Sequence, residues 1–419
     1  MDYKIKKRLI ISVLFTICLP GRLVMAQTTD NAALLYYQAF MLYTDPGEEI
    51  RVKLNDIVRG RAEPDEQVEQ YIEGQQYIIN TVVTAADIKN CDWGIDYSVG
   101  LELKLPYIQN IRPVAWLVIN DAKILAKHGQ YEKALQRCLT IHKMARHVAK
   151  GQLISVLVGG SLVEMANNCI RDILSEMPLD VTILEQLKTE LAKINKEPFR
   201  LSESLKLEYV QIEPELTIDR IQKLIDIFRE PVTVLKSSNY TPKPLTEDEK
   251  KQREKQREKQ RKIEEIINER LSNIDEEFIE GNKQYLKKLY LEDVPAAFEL
   301  NYEQAYKKII EIEQRTKNDL MTNPDATLEA LVNPPYKTIY SKITVNNNFT
   351  NALRAAIEIY IRKAETGQLP DELPVGLPKD LFSGKDFKYE KTDEGFILRC
   401  QGKDIEKDKI HEYEFKVKK

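Results

Sequence analysis

Residues 112 to 148, RPVAWLVINDAKILAKHGQYEKALQRCLTIHKMARHV, determine the fold class of this chain. Apolar residues recur every three or four positions on both sides of His128-Gly129, which is the period of an amphipathic helix. The spacing therefore predicts two helices, Arg112 to Lys127 and Gln130 to Val148, joined as a helical hairpin.

The same period continues outside the hairpin. It predicts further helices over Asn31 to Tyr43, Tyr71 to Ala86, Leu153 to Leu174, Asp180 to Lys193, Glu215 to Phe228 and Asn347 to Glu365. After Gly367 and Pro370 the pattern alternates, and it predicts short strands at Phe387 to Glu390, Phe396 to Cys400 and His411 to Val417. We expect a mainly α protein of irregular helical hairpins with a small C-terminal α+β module of one helix and a three-stranded antiparallel sheet.

The turn GQYEKAL, residues 129 to 135, resembles the turn inside a tetratricopeptide repeat. Glycine stands at the bend, and alanine stands where the two helices approach. The resemblance covers half of one repeat, and no second copy follows at the 34-residue period that such arrays require. We favour a generic helical hairpin, and a repeat array is the alternative.

The first 26 residues have the layout of a signal peptide. A basic start is followed by the apolar run Leu9 to Leu19, the breaker Pro20-Gly21 and the cleavage sequence Val24-Met25-Ala26. The apolar run is shorter than the roughly 20 residues that a membrane-spanning helix needs. We predict a secreted or periplasmic mature chain that begins at Gln27 and has no membrane span. An uncleaved anchor, which would bury Arg22, is the alternative.

The composition narrows the function classes. The chain has 419 residues, 42% hydrophobic and 31% charged, enough for a large core in two or three domains. Lys and Arg number 62 against 66 Asp and Glu, and removal of residues 1 to 26 leaves 57 against 65. We therefore do not expect nucleic acid as a partner. The expected partner is an envelope protein or polymer of unknown identity.

Changes in composition divide the chain into five segments. They are a signal peptide (1–26), a helical domain (27–236), a charged low-complexity linker (237–262), a helical extension (263–345) and a helix-plus-strand module (346–419). Lys250 to Lys262 holds eight basic and two acidic residues. We interpret this run as a solvated approach to a helix, with Glu258 and Lys262 as an i,i+4 ion pair. A patch for an anionic polymer is the alternative. The apolar seam downstream is too short to predict a coiled coil.

Motifs of known chemistry are absent. The sequence contains no GxGxxG, no GxxxxGK followed by Ser or Thr, no HExxH and no GxSxG, so we predict neither a cofactor nor a metal site. Asp92, Trp93 and Asp96 form the most suggestive polar cluster. Trp93 could stack on a sugar while the two aspartates act as acid and base, the chemistry of a glycan hydrolase. The competing interpretation is a turn whose indole anchors a loop. Glu203 and Glu208 are predicted to be solvated.

The mature chain keeps four cysteines in a compartment that permits disulfides: Cys91, Cys138, Cys169 and Cys400. Cys138 and Cys169 lie on adjacent predicted helices and are the candidate disulfide. Buried free thiols are the alternative, since cysteine packs as a small apolar residue. No CxxC occurs.

Two stretches resemble known families. CDWGIDY (91–97) with LPYIQNIRPVAWLVINDAK (105–123) resembles a group of uncharacterised secreted proteins of planctomycetes and related bacteria, which implies export but no activity.

The tail, residues 351 to 402, is similar to the soluble domain of a type II secretion major pseudopilin. There too a helix ends in a Gly-x-x-Pro step and crosses through an element like DLFSG (380–384), and a strand containing tyrosine pairs with an apolar one. This similarity implies a shape for about 70 residues and no function. The N-terminal methylation motif of pilins is absent, so assembly into a pilus is not implied. Together these features predict a non-catalytic binding or scaffolding protein of the cell envelope, with a carboxylate-dependent glycan hydrolase as the alternative.

Overall fold

The computed structural model describes residues 29–196, 199–229, 247–332 and 334–418. The predicted signal peptide and residues 237–246 of the predicted linker lie outside them. The N-terminal half contains α1 (Ala32–Leu42), α2 (Glu48–Val58), α3 (Glu66–Gly74), α4 (Gln76–Asp87), a 3-10 helix (Tyr97–Glu102), α5 (Pro106–Lys127), α6 (Tyr131–Val148), α7 (Leu153–Glu176) and α8 (Val181–Ile194). The rest contains α9 (Leu201–Ile212), α10 (Ile218–Arg229), α11 (Glu247–Leu271), α12 (Glu276–Lys288), a π-helix (Leu289–Asp293), α13 (Val294–Phe298), α14 (Tyr302–Thr322), α15 (Glu329–Val332) and α16 (Tyr336–Thr366).

The predicted hairpin is confirmed, and its second helix ends at the predicted residue. The chain turns between α5 and α6 at Gly129, whose φ of 75° lies in the region that favours glycine. The first helix begins at Pro106 rather than Arg112, because proline suits the first helical position, where no backbone N–H is needed. The interior faces of both helices are buried.

Helix α7 lies at the centre of the molecule, between α6 and α16. Two adjacent glycines allow this close approach. A Cβ on Gly159 would lie 2.8 Å from the Cβ of Ala149, and one on Gly160 would lie 2.8 Å from Cδ1 of Ile343. The helix is long and apolar enough to cross a membrane, but 67% of its most apolar window is buried in the protein. It is therefore the core helix of this fold.

A small sheet closes the C-terminal end. Strands β1 (Lys388–Thr392), β2 (Gly395–Arg399) and β3 (Glu412–Lys416) are antiparallel in the order β1-β2-β3. Phe396 and Phe415 are fully buried on its inner face. The chain is thus mainly α with a small C-terminal α+β module, as predicted.

Helix α16 connects the module to the helical core. On one side Asn346 Nδ2 donates to the carbonyl oxygen of Gly160 at 2.8 Å, and on the other the Tyr360 hydroxyl donates to the carbonyl oxygen of Lys416 at 2.6 Å. The helix begins at Tyr336, well before the predicted Asn347, because apolar residues such as Ile339 and Ile343 extend its buried face. The predicted domain boundaries at 346 and 263 consequently fall inside α16 and α11.

Asp380 organises the loop that links α16 to the sheet. Its buried carboxylate accepts hydrogen bonds from the backbone N–H of Phe382 (3.0 Å), Gln401 (2.9 Å) and Gly402 (2.8 Å) and from the Ser383 hydroxyl (2.7 Å). A buried carboxylate with this many donors is compensated for its lost hydration. The same loop contacts the middle of α16, where the backbone N–H of Leu381 donates to Asn348 Oδ1 at 2.7 Å.

Candidate functional site

The indole of Trp93 lies inside the protein. Only 6% of the residue is exposed, and the ring stacks on Tyr107 with centroids 4.3 Å apart and on Tyr36 at 5.4 Å. Its Nε1–H donates to the carbonyl oxygen of His147 at 3.0 Å. Both faces and the polar edge are occupied, so no face is open to a sugar. The predicted binding role of Trp93 loses its physical basis, and the anchoring role describes the geometry.

The two candidate catalytic aspartates form local turns. Asp92 Oδ1 accepts from the backbone N–H of Gly94 at 3.0 Å, and Asp96 Oδ1 accepts from the backbone N–H and hydroxyl of Ser98 at 2.9 and 2.6 Å. The hydrogen bonds from Ser98 hold the pKa of Asp96 below its ordinary value. A general acid needs the opposite shift. Asp96 therefore lacks the surroundings of a glycosidase acid, and the Asp92 carboxylate is bonded within its own turn.

Cys138 and Cys169 are neighbouring thiols in the seam between α6 and α7, and the candidate disulfide is not formed. Both residues are at most 2% exposed and fill the seam as small apolar side chains. Burial raises the pKa of the Cys138 thiol well above its ordinary value. Cys91 and Cys400 are also buried free thiols. The alternative that the sequence left open, buried free thiols, describes all four.

Within the described part of the chain, no cluster of three or more His, Cys, Asp and Glu residues could hold a metal ion. The carboxylate of Asp404, near the C-terminal sheet, shows why this part of the structure offers no metal site. Its buried carboxylate is occupied by the Tyr302 hydroxyl (3.1 Å), the Ser341 hydroxyl (3.2 Å) and His411 Nε2 (2.9 Å). These contacts join the terminal sheet to α14 and α16.

A different feature concentrates charge, and we call it the basic cleft. It is an open cavity of about 660 Å³ between α4, α6, α8 and the start of α9. Seven cationic side chains line it: Lys89, Lys143, Arg146, Lys150, Lys193, Lys196 and Arg200. Among the described lining residues only Glu203 carries negative charge, and it is bonded to Arg200 at 2.7 Å. The volume of the basic cleft lies in the range of known ligand-binding sites.

Three helices end at the basic cleft, which explains part of its charge. α4, α6 and α8 reach it with their C-termini at Asp87, Val148 and Ile194. Each C-terminus carries about half a negative charge, so nearby cations are favourable. Two more carboxylates reach in from outside the lining, Asp87 to Lys143 and Glu190 to Lys193. Counted over the described residues, seven cations against three carboxylates and about one and a half dipole charges leave a positive excess.

Three of the cleft lysines have no fixed partner in the part of the chain that the structure describes. Lys89, Lys150 and Lys196 are exposed, and none has an ion pair or side-chain hydrogen bond to any described residue. Exposed ammonium groups on three sides of one cavity repel one another, and an anion bound between them relieves that repulsion. They are the groups best placed to contact a ligand.

The floor of the basic cleft is apolar and holds one cation rigidly. The guanidinium of Arg146 lies 4.5 Å from the ring centroid of Phe199 and donates to Asn195 Oδ1 at 2.7 Å. Ile88, Ala149 and Leu207 complete the floor. A cation that is stacked and hydrogen-bonded in this way is pre-oriented, so it loses little freedom when an anion binds.

Trp93 and Glu208 support the cleft from behind. Through its bond to His147, Trp93 fixes the end of α6, which carries Arg146 and is followed by Lys150. Glu208 of α9 accepts from the backbone N–H of Leu153 at 2.9 Å, so it occupies the start of α7. The prediction that Glu208 is solvated is wrong, because this contact between helices buries it. Burial raises the pKa of Glu208 to about 7.

The basic run Lys250 to Lys262 lies on α11, away from the cleft in sequence. Its described side chains Lys251, Lys255, Arg257 and Lys262 are exposed. Glu258 pairs with Lys262 at 3.3 Å, which confirms the predicted i,i+4 contact. None of the described side chains of this run lines the basic cleft.

Comparison of the chain with family models, with curated proteins and with solved structures found no match in any of the three. The two resemblances noted in the sequence stay predictions.

Proposed function

We propose that this chain is an exported, non-catalytic binding protein of the cell envelope, and that the basic cleft holds a segment of an anionic envelope polymer. The observation that carries the proposal is the convergence of seven cations on one cavity, three of them lysines that have no fixed partner among the described residues. Such a site attracts anions by charge and releases bound counterions on binding.

The shape of the basic cleft favours a polymer segment over a small enclosed ligand. Lys89, Lys150 and Lys196 are exposed at its edge, while Arg146 lies on the floor beside Phe199. A repeating anion can contact the floor with one charge and the edge with its neighbours. The apolar floor also accommodates the uncharged part of a repeat unit.

A binding role also agrees with the chemistry around the cleft. Burial and nearby Lys150 lower the pKa of His147 to about 4, and its Nδ1 is hydrogen-bonded to the Tyr36 hydroxyl at 3.0 Å. The imidazole of His147 is therefore neutral and hydrogen-bonded at ordinary pH, which does not suit a general acid. The anionic charge of the ligand and the fixed cations are sufficient for binding without a reaction.

The proposal is tested by titrating the mature chain with long-chain inorganic polyphosphate and, separately, with polygalacturonate. Calorimetry at several NaCl concentrations is expected to give an affinity that falls steeply with salt for at least one polymer. The two polymers distinguish phosphate from carboxylate recognition, and neutral dextran is the control. Salt-independent binding, or no binding to either polyanion at low salt, contradicts the proposal.

The export part of the proposal has its own test. Expression of the full chain in a bacterial host, followed by fractionation and N-terminal sequencing, is expected to give an extracytoplasmic protein that begins at Gln27. An intact chain in the cytosol would contradict export and leave the binding experiment unaffected.

A further inference from the structure

A second cavity, which we call the Arg354 cavity, lies on another side of the molecule. It is an open cavity of about 750 Å³, bordered by α8, α16 and the loop 370–378. From α16 it receives Arg354, Glu358 and Arg362, which are spaced four apart and so lie on one face of the helix. Lys188 faces them from α8.

Arg354 is the unusual group in this cavity. The side chain is partly buried, and it has no hydrogen bond or ion pair to any described residue. Burial lowers the pKa of its guanidinium, and no carboxylate offsets that shift. A guanidinium offers five N–H donors in a fixed fork, so leaving them without acceptors in a partly dry place is costly.

The other charges of the Arg354 cavity are paired, except that of Glu372, an exposed carboxylate of the lining that has no ion pair with any described residue. Glu358 accepts from Lys188 at 2.7 Å and lies 3.7 Å from Arg362, and Lys188 also contacts Glu185 at 3.2 Å. One cation is therefore uncommitted. A ligand with a single negative charge matches it, whereas a phosphate dianion would need further free cations that the described lining lacks.

The wall opposite Arg354 is apolar. Pro374, Val375, Leu377 and Pro378 form it together with Ala192 of α8. Val375 is completely exposed, although a valine in this position gains by being covered. The loop that carries these residues leads directly into Asp380, whose carboxylate is bonded to the backbone of Phe382 and Gln401, so the loop is anchored at its C-terminal end. The cavity thus offers one planar cation and an apolar surface.

We propose that the Arg354 cavity binds an organic monocarboxylate with an apolar body, its carboxylate accepting a bidentate pair of hydrogen bonds from Arg354 and its body lying against Val375 and Leu377. A planar carboxylate fits the guanidinium fork, and the pair is stronger than a hydrogen bond between neutral groups. This site is independent of the basic cleft and of the function proposed for it.

The test uses two probes that differ only in charge, N-acetyl-leucine and its neutral amide. Calorimetry or ligand-observed NMR on the mature chain is expected to show the acid binding at least about tenfold more tightly than the amide. Arg354→Gln should remove this difference, and Arg354→Lys should keep only part of it, since an ammonium lacks the fork. Glu372→Gln, which removes an exposed carboxylate from the same lining, should leave acid binding unchanged or increase it.

A thermal melt separates binding from folding. Because Arg354 has no partner among the described residues, Arg354→Gln is expected to leave the melting temperature unchanged or raise it. If the variant melts lower, the comparison of acid and amide on Arg354→Lys still decides the question. No binding of the acid at about 10 mM, or equal affinity for acid and amide, overturns the proposal. So does undiminished acid binding by Arg354→Gln.

Discussion

Two parts of this molecule carry concentrated positive charge, and they are built in opposite ways. In α11 the cations follow one another along the chain, are exposed on a solvated helix and alternate with glutamates such as Glu258. In the basic cleft they come from positions more than one hundred residues apart, between Lys89 and Arg200, and face one cavity. The first is obvious in the sequence, and the second appears only after folding.

The difference shows that the number of positive charges along a stretch of sequence is a poor guide to how closely positive charges lie together in the folded protein. Charges spread around an exposed helix are surrounded by water and by their own counter-charges, so their field is screened within about 10 Å. Charges that converge on a concave surface with an apolar floor reinforce one another. We therefore place ligand binding in the cleft and not on α11.

The cleft, unlike α11, depends on the packing behind it. Trp93→Ala removes a buried indole that stacks on Tyr36 and Tyr107, and it is expected to lower the free energy of unfolding by about 3 to 5 kcal/mol. Denaturant unfolding measures this loss. Trp93→Phe keeps an aromatic ring but removes the hydrogen bond to His147, and it should lower the free energy of unfolding by about 1 to 2 kcal/mol. If Trp93→Ala were as stable as the wild type, the indole would not be the anchor described here.

Matched charge reversals compare the two basic regions directly. Lys89→Glu with Lys150→Glu and Lys196→Glu should weaken polyanion binding by about 100-fold, because each change replaces an attraction by a repulsion. Lys251→Glu with Lys255→Glu and Lys262→Glu makes the same change in net charge on α11, and we expect a loss of only about twofold. Calorimetry at fixed salt checks both triple variants. Equal losses would show that net charge alone governs binding.

The pH dependence of stability tests the support from α9. The pKa of Glu208 is raised to about 7 by burial, so the folded chain holds this proton more tightly than the unfolded chain does. Its contribution is fully present below the unfolded pKa and is lost as pH rises through about 7. Between pH 5 and pH 8, the free energy of unfolding of the wild type should fall by about 1 to 3 kcal/mol relative to that of Glu208→Gln.

Chemical unfolding of both proteins across this range measures the difference. Glu329, whose pKa burial also raises to about 7, should behave in the same direction when Glu329→Gln is compared with the wild type. A difference between wild type and Glu208→Gln that stays constant with pH would mean that Glu208 is solvated in the folded state. That result would contradict the hydrogen bond from the backbone N–H of Leu153 to the Glu208 carboxylate.

Two glycine substitutions test the packing of α7 against α6, the helix whose end lines the cleft. Gly159→Ala would place a Cβ 2.9 Å from the carbonyl oxygen of Ala145 on α6, so it should cost about 1 to 3 kcal/mol in the free energy of unfolding. Gly74→Ala at the end of α3, where a Cβ meets nothing within 4 Å, is the control and should gain about 0.5 to 1 kcal/mol. Similar values for both variants would show that α6 and α7 are not in close contact.

The fold was largely predictable because its signals are local. Apolar residues at three- and four-residue spacing located α5, α6 and α7, and alternation after Gly367 located the three strands. The helix Tyr302–Thr322 was predicted only as part of the helical extension 263–345, without bounds of its own. Its buried residues do recur every three or four positions, but many charged residues lie between them. The start of α16 was missed for a related reason: buried Asn346 and Asn348 interrupt its apolar pattern.

The sites were much less predictable. The sequence directed attention to Asp92, Trp93 and Asp96, because a tryptophan between two acids is a visible pattern. In the structure, Trp93 anchors a loop through its bond to His147. The basic cleft is lined by lysines and arginines that are far apart in sequence and share no local pattern. Arg354 likewise looks like an ordinary polar position of α16, and only the absence of a described partner in a cavity distinguishes it.

One measurement addresses the central claim most directly. Lysine acetylation of the mature chain, with and without saturating polyphosphate and read residue by residue by mass spectrometry, compares the two basic regions in a single sample. We predict that Lys89, Lys150 and Lys196 become protected while Lys251, Lys255 and Lys262 keep their reactivity. Protection of the α11 lysines with unchanged reactivity in the cleft would contradict the assignment of binding to the basic cleft.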